Sequence, residues 1–319
     1  MKAREILSQE LERFNLTLSE ELRSDIPLVD RIMKYLSNIK GKQLRPVFLL
    51  LCARLGGPAN DSTYRAAALI ETLHIASLVH DDIVDHSMKR RNAFSVNALW
   101  KSRSAVFAGD ILFTKGVLLS LEHKDFDIIK IFSKAIEETI EGELVQISKT
   151  QKLNLNEDVY YNIIRQKTAT LLKAACEAGA STTFRDPEMI SKLGEFGEMV
   201  GMAFQIKDDL LDYGTENIGK PLGNDIRERK MTLPLIYTLN NCDPVVKQQL
   251  LLIINKQNSN EEKLQYLKEQ VRAAGGFNYA EGKMIWYRNE ALNRLYEFPD
   301  SGIRQALEEL VFYITERKY

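Results

Sequence analysis

Apolar residues return every three or four positions along nearly the whole chain. Val29, Ile32, Met33 and Leu36 set the pattern early, and Leu307, Leu310, Val311 and Ile314 repeat it near the end. This period belongs to one-sided helices, and alternation at every second residue is scarce. The pattern predicts an all-α protein, a single large helical bundle with a central cavity between helices. Breaks rich in Gly, Pro, Asn and Asp fall at 38–41, 55–61, 89–94, 123–127, 152–158, 184–187, 213–225, 241–244 and 258–261. They leave roughly ten or more helices, and no Gly-, Ser- or Pro-rich linker divides them. We therefore expect residues 1–319 to form one domain.

Two stretches are apolar on most faces and are expected to be central helices. The first runs from about Tyr64 to His86, behind a possible N-cap region at Asp61-Ser62-Thr63. The second runs from Phe196 to Leu211. Each ends in a carboxylate cluster: Asp81, Asp82 and Asp85 in the first, Asp208, Asp209 and Asp212 in the second. At 100° per residue Asp81 and Asp85 share a face, and His74 points along nearly the same line. His80 reads as a hydrogen-bonded core residue. One DDxxD alone would read as a solvated helix end. Two copies suggest two banks of one site, on the rim of a deep cavity.

Composition narrows the partners. Lys and Arg number 43 against 44 acidic residues, a net charge of −1, so nothing draws the chain in bulk to nucleic acid or anionic membrane. Anion binding must come from local cations. Lys42 and Arg45 precede a helix that Pro46 could open at its first position. Arg90 and Arg91 follow the first cluster, Lys167 and Thr168 lie in IIRQKTAT, and Lys220 and Lys230 belong to a Gly-rich loop after the second. Such a loop is suited to close over a bound anion. Hard carboxylate ligands with nothing soft nearby favour Mg²⁺, held with substrate phosphates. Cys52, Cys176 and Cys242 are far apart in sequence and predict neither disulfide nor zinc. The N-terminus has no apolar signal core, and no run reads as a transmembrane segment, so a cytoplasmic protein is expected.

With these residues in view, the chain resembles the trans-isoprenyl (polyprenyl) diphosphate synthases over nearly its whole length. The matching pieces are GKQLRP at 41–46, HIASLVHDDIVD at 74–85, RR at 90–91 and GD at 109–110. They continue with EGELVQ at 141–146, KTA at 167–169, FQIKDDLLD at 204–212 and GKPLGNDIRERKMTLPL at 219–235. The resemblance implies condensation of isopentenyl diphosphate with an allylic prenyl diphosphate, and a homodimer. It implies that Asp81, Asp85 and Asp208 hold Mg²⁺, three ions per site, with Asp82, Asp209 and Asp212 behind them. Arg90, Lys167, Thr168, Gln205, Lys220 and Lys230 match positions at the allylic substrate, and Lys42, Arg45, His74 and Arg91 match those at isopentenyl diphosphate. Asn92 and Phe94 depart from the Gly and Pro that usually follow the arginine pair.

The same resemblance makes Ala76 and Ser77 the positions that set product length. Short-chain members carry a bulky aromatic at one of them. Both are small here, which implies a product of about C30 to C40, with a C20 product as the alternative if Phe107, Phe113 or Leu118 closes the tunnel. A class I terpene cyclase would be expected to carry a different second metal motif, and a non-catalytic synthase subunit to lack one or both DDxxD motifs.

Overall fold

The computed structural model describes residues 2–39, 41–90, 93–150, 156–214, 224–227, 229–255 and 260–316. Among these residues helices carry almost all the regular structure, as the period of three to four predicts. The chain divides into two compact units. One comprises Met1–Lys134, Ala174–Gly194 and Pro299–Leu307, and the other Ala135–Lys173, Glu195–Phe298 and Glu308–Tyr319.

The first unit opens with α1 (Lys2–Ile6), α2 (Ser8–Glu21), α3 (Pro27–Asn38), α4 (Leu44–Gly56) and α5 (Asp61–Val84). A hairpin of β1 (Lys89–Arg90) and β2 (Ala93–Phe94) leads into α6 (Val96–Glu122) and then α7 (Phe126–Thr150). At two residues per strand, the hairpin is too short to leave a period-two signal. The central helix is α5, buried from Ala66 to Leu73 and packed on α2, α4 and α6. Its cap is Asn60, one residue ahead of the expected region. The Asn60 side chain accepts from the Thr63 backbone N–H at 3.1 Å, and Thr63 Oγ1 accepts from the Asn60 N–H at 3.1 Å. This reciprocal pair satisfies two donors that a helix start leaves open. Gly116 lets α6 come close, since a Cβ there would stand 2.5 Å from Thr72 Oγ1.

Two other expectations shift in this unit, those for α4 and α6, and the cysteines gain a neighbour. Helix α4 begins at Leu44 after Gln43 in a left-handed conformation (φ 48°), so Pro46 is its third residue rather than its first. Cys52 and Cys176, far apart in sequence, are neighbouring free thiols in the core, where burial pushes the Cys176 thiol up. And α6 is long and apolar enough to cross a membrane by length and composition, although no such run stood out in the sequence. Its helix is interrupted at Lys101 (φ 65°).

The second unit takes the end of α7, then α8 (Glu157–Ile164), a π-helical turn (Arg165–Ala169) and the start of α9 (Thr170–Ser181). It continues with most of α10 (Pro187–Asp212), α11 (Asn224–Arg227), α12 (Leu233–Asn241), α13 (Pro244–Asn255), α14 (Glu261–Ala273), α15 (Gly276–Leu295) and the end of α16 (Gly302–Glu316). Its core gathers Ile206, Leu210 and Tyr213 of the α10 end with Leu233, Ile236, Leu250, Leu264 and Met284. Pro187 and Pro244 open their helices, where a missing N–H costs nothing.

Candidate functional site

The last two turns of α5 carry the first acidic cluster, and burial divides it. Asp82 is buried, Asp81 half-buried and Asp85 exposed. Asp85 caps the helix, its N–H donating to the Asp81 carbonyl at 2.8 Å. The chain then turns through His86 (φ 51°) into the hairpin, which carries Arg90 back to Asp82. Arg90 Nε donates to Asp82 Oδ1 at 2.8 Å, and Nη2 approaches the same oxygen at 2.7 Å. The pair lines a cavity of about 40 Å³ otherwise walled by residues such as Leu36, Ile39, Leu78 and Val79. Apolar walls weaken solvent screening, which strengthens the pair. Tyr35 fixes the hairpin from below, its hydroxyl donating to the Phe94 carbonyl at 2.6 Å.

Farther back on α5, the two chain-length positions part company. Thr72, Ala76 and His80 fall on one side of the helix at four-residue steps. That side meets α6: Thr72 stands against Gly116, and the His80 ring lies 3.2 Å from the Val106 carbonyl and 3.5 Å from the Asp110 carboxylate. Ala76 between them is buried. His80 is thus hydrogen-bonded as expected, but it is partly exposed rather than a core residue. Ser77 is half-buried and lies on the Asp81 side, its hydroxyl donating to the His74 carbonyl at 2.9 Å. His74 itself is half-buried. Phe107, Phe113 and Leu118 are exposed at 56%, 40% and 47%, so they do not form a floor within this chain.

Lys42 and Arg45 stand at the entry to α4, which packs along α5. Lys42 is exposed and Arg45 half-buried, and the Arg4 guanidinium donates to the Lys42 carbonyl at 2.6 Å. Arg91 and Lys220 lie outside the described residues.

In the second unit, the end of α10 shows the same division. Asp208 is exposed, whereas Asp209 and Asp212 are buried. At Asp209, Tyr160 OH donates to Oδ2 at 2.7 Å, and Gln205 Nε2 to Oδ1 at 2.9 Å. Gln205 Oε1 in turn accepts from Thr168 Oγ1 at 2.8 Å. Thr168 and Lys167 sit in the π-helical turn, a local widening of the helix that often marks functional sites. Helix α10 can approach this turn because residue 201 is glycine; a Cβ there would lie 2.5 Å from Ala169 Cα. Lys167 Nζ pairs with Glu143 Oε2 at 2.5 Å and lies 3.3 Å from Gln146 Oε1. Lys230 is half-buried, beyond Arg229 in a left-handed conformation (φ 58°). Tyr213 anchors the chain leaving α10: its hydroxyl meets Thr232 Oγ1 at 2.6 Å, and its carbonyl accepts from Arg272 at 2.9 Å.

Sequence reasoning missed Tyr160. A tyrosine at an apolar helical position reads as core, and only its spacing, seven residues before Lys167, hinted at more. Glu143 and Gln146 fell inside the matched stretch EGELVQ without a role.

The polyprenyl synthetase family model matches residues 26–271. Octaprenyl diphosphate synthase of Escherichia coli K12 is 30% identical over 318 residues, covering 99% of this chain and 98% of its own. Heptaprenyl diphosphate synthase component 2 of Bacillus subtilis is 31% identical over 315 residues, covering 98% and 89%. Among solved structures, a polyprenyl synthase from Caulobacter crescentus, complexed with calcium and isoprenyl diphosphate, superposes with a TM-score of 0.93. It is 32% identical, with 100% of this chain and 98% of that one covered.

Proposed function

Because this chain belongs to the polyprenyl synthetase family, and so is a prenyltransferase of the long-chain trans-polyprenyl diphosphate class, we propose its reaction in detail. It condenses isopentenyl diphosphate head-to-tail with farnesyl or geranylgeranyl diphosphate, giving an all-trans product of about C30 to C40 and releasing diphosphate. The observation that carries this reading is the division within both acidic clusters. Each presents a solvent-facing carboxylate, Asp85 or Asp208, beside a buried one fixed by a protein donor.

Carboxylate oxygens suit Mg²⁺, which takes one or two of them and completes its shell with water and phosphates. Asp81, Asp85 and Asp208 would hold the metal, three ions per site. When bound, Mg²⁺ neutralises charge gathering on the departing diphosphate.

The side chains do the rest. Arg90, Lys167, Lys220 and Lys230 would bind the allylic diphosphate, and Lys42, Arg45, His74 and Arg91 the isopentenyl one. Arg90 can serve both Asp82 and a phosphate, because a guanidinium carries five N–H donors. As the allylic C–O bond breaks and diphosphate departs, the isopentenyl double bond attacks the cation, and a proton passes to the released diphosphate as an alkene re-forms. Thr168 and Gln205 offer oxygen lone pairs to that cation.

Large apolar side chains, among them Leu99, Val106, Phe113 and Leu118, are exposed along α6. We take a second copy of the chain to cover them, as a homodimer in the cytoplasm. The relative named component 2 supports a second reading, in which a different subunit does so. Light scattering on the purified chain separates the two: a monomer would favour the second.

The test is incubation with Mg²⁺, labelled isopentenyl diphosphate and farnesyl diphosphate, followed by sizing of the dephosphorylated products. A ladder ending near C30 to C40 is expected. A stop at C20 would correct the length alone. No elongation by a folded, Mg²⁺-supplied chain would overturn the reaction for this chain by itself, and cyclised hydrocarbon would identify a cyclase.

A further inference from the structure

A row of four side chains runs through the second unit from a buried phenol to the π-helical turn. Tyr160 OH donates to Asp209 Oδ2 at 2.7 Å, Gln205 Nε2 to Asp209 Oδ1 at 2.9 Å, and Thr168 Oγ1 to Gln205 Oε1 at 2.8 Å. The directions are forced. An ionised carboxylate only accepts, so Gln205 must turn its NH₂ toward Asp209 and its oxygen toward Thr168. Thr168 spends its only hydroxyl hydrogen on that oxygen. Lone pairs on Thr168 and Gln205 are then what this end of the row can offer a positive charge.

The far end is equally constrained. Tyr160 is 4% exposed and its ring packs edge-on against Tyr161, with centroids 5.5 Å apart. Asp209 is 5% exposed. Burial and the neighbouring carboxylate push the Tyr160 phenol far up, so it remains a donor across the working pH range. Without that donor, the buried carboxylate would lose a hydrogen bond to Oδ2, and its hold on the Gln205 amide would loosen.

We infer that Tyr160 is a positioning residue for prenyl transfer: through Asp209 it fixes the Gln205 amide, so that oxygen rather than nitrogen is directed to Thr168 and the allylic cation. The inference rests on the synthase reading above. Tyr160 touches no reacting atom, and its effect belongs to the chemical step rather than to substrate binding.

The test is steady-state kinetics on the full chain with Mg²⁺, both diphosphate substrates, and the variants Y160F, Q205L and Y160F/Q205L. Y160F should lower kcat about tenfold, with KM for either substrate moving less than about twofold. In the Q205L background the same change should cost less than about twofold, since no amide remains to orient. Equal kcat for Y160F and wild type would overturn the inference, as would an undiminished cost in the Q205L background. Should Y160F not fold, 3-fluorotyrosine at position 160 keeps the hydroxyl and alters its acidity. A shifted kcat at unchanged melting temperature would support the row, and an unchanged kcat would overturn it. A wild-type chain that does not elongate would overturn the synthase reading and this inference with it. A wild-type chain that elongates, but no faster than Y160F, would overturn this inference alone.

Discussion

Arg90 grips a single oxygen of Asp82, with Nε at 2.8 Å and Nη2 at 2.7 Å, and the Asp82 side chain is only 6% exposed. A buried carboxylate held by one two-pronged donor depends on that donor. We expect Arg90→Ala to lower stability by about 2 kcal/mol. Arg90→Lys should recover less than half of the loss, because an ammonium cannot reproduce the fork. Urea unfolding would check this as a fall in midpoint at constant m-value.

The second cluster gives a contrast between neighbours. Asp208→Asn changes an exposed side chain and should leave stability within about 0.5 kcal/mol. Its cost should fall on kcat, by about a hundredfold or more. Asp209→Asn replaces one of the two oxygens that accept from Tyr160 and Gln205 with an NH₂, setting donor against donor, and should cost about 2 kcal/mol of stability as well as activity. Thermal melts read beside initial rates would separate the two.

How far the sequence announced this arrangement differs between its parts. Helix boundaries were legible because their punctuation is local: Pro187 and Pro244 start helices, and the breaks after Asn38 and Asn241 fall where helices end. The hairpin was not, since two-residue strands carry no alternation, and neither was the interruption at Lys101, where an ordinary lysine adopts positive φ. The acidic clusters themselves stood out by composition and repetition. Which aspartates turn inward did not, because burial of Asp82 depends on a hairpin returning Arg90 and burial of Asp209 on Tyr160 arriving from another helix. Ala76 and Ser77 looked equivalent in sequence, and only the packing of α6 tells them apart.

Removing metal should silence the protein without unfolding it. The carboxylates assigned to Mg²⁺ stand at helix ends and are half or fully solvent-facing. We expect EDTA to abolish elongation while far-UV circular dichroism stays unchanged, and excess Mg²⁺ to restore the rate. Asp81→Asn should raise the Mg²⁺ concentration needed for half-maximal rate several-fold.

Product length should respond to Ser77 and Ala76 differently. Ser77→Phe adds bulk on the Asp81 side of α5 and is expected to shorten the products while leaving the fold intact. Ala76→Phe must force a ring into the tight α5–α6 interface, with an expected cost of about 1–3 kcal/mol whatever its effect on length. Sizing the dephosphorylated products and melting both variants would test the distinction.

Glycine at position 116 has a reach beyond its own immediate neighbours. With Thr72 seated there and His80 tied to Val106, one flank of α5 is sealed on either side of Ala76. On the proposed reaction, the flank left for a growing hydrocarbon is the one that begins with Asp81 and Ser77 and continues to the buried Leu73 and Ile70. From Asp81 to the helix start at Asp61 that flank is about 30 Å long, at 1.5 Å per residue. On that proposal the helix would act as a ruler, and the number of isoprene units added before the chain is released would be a length measured along it.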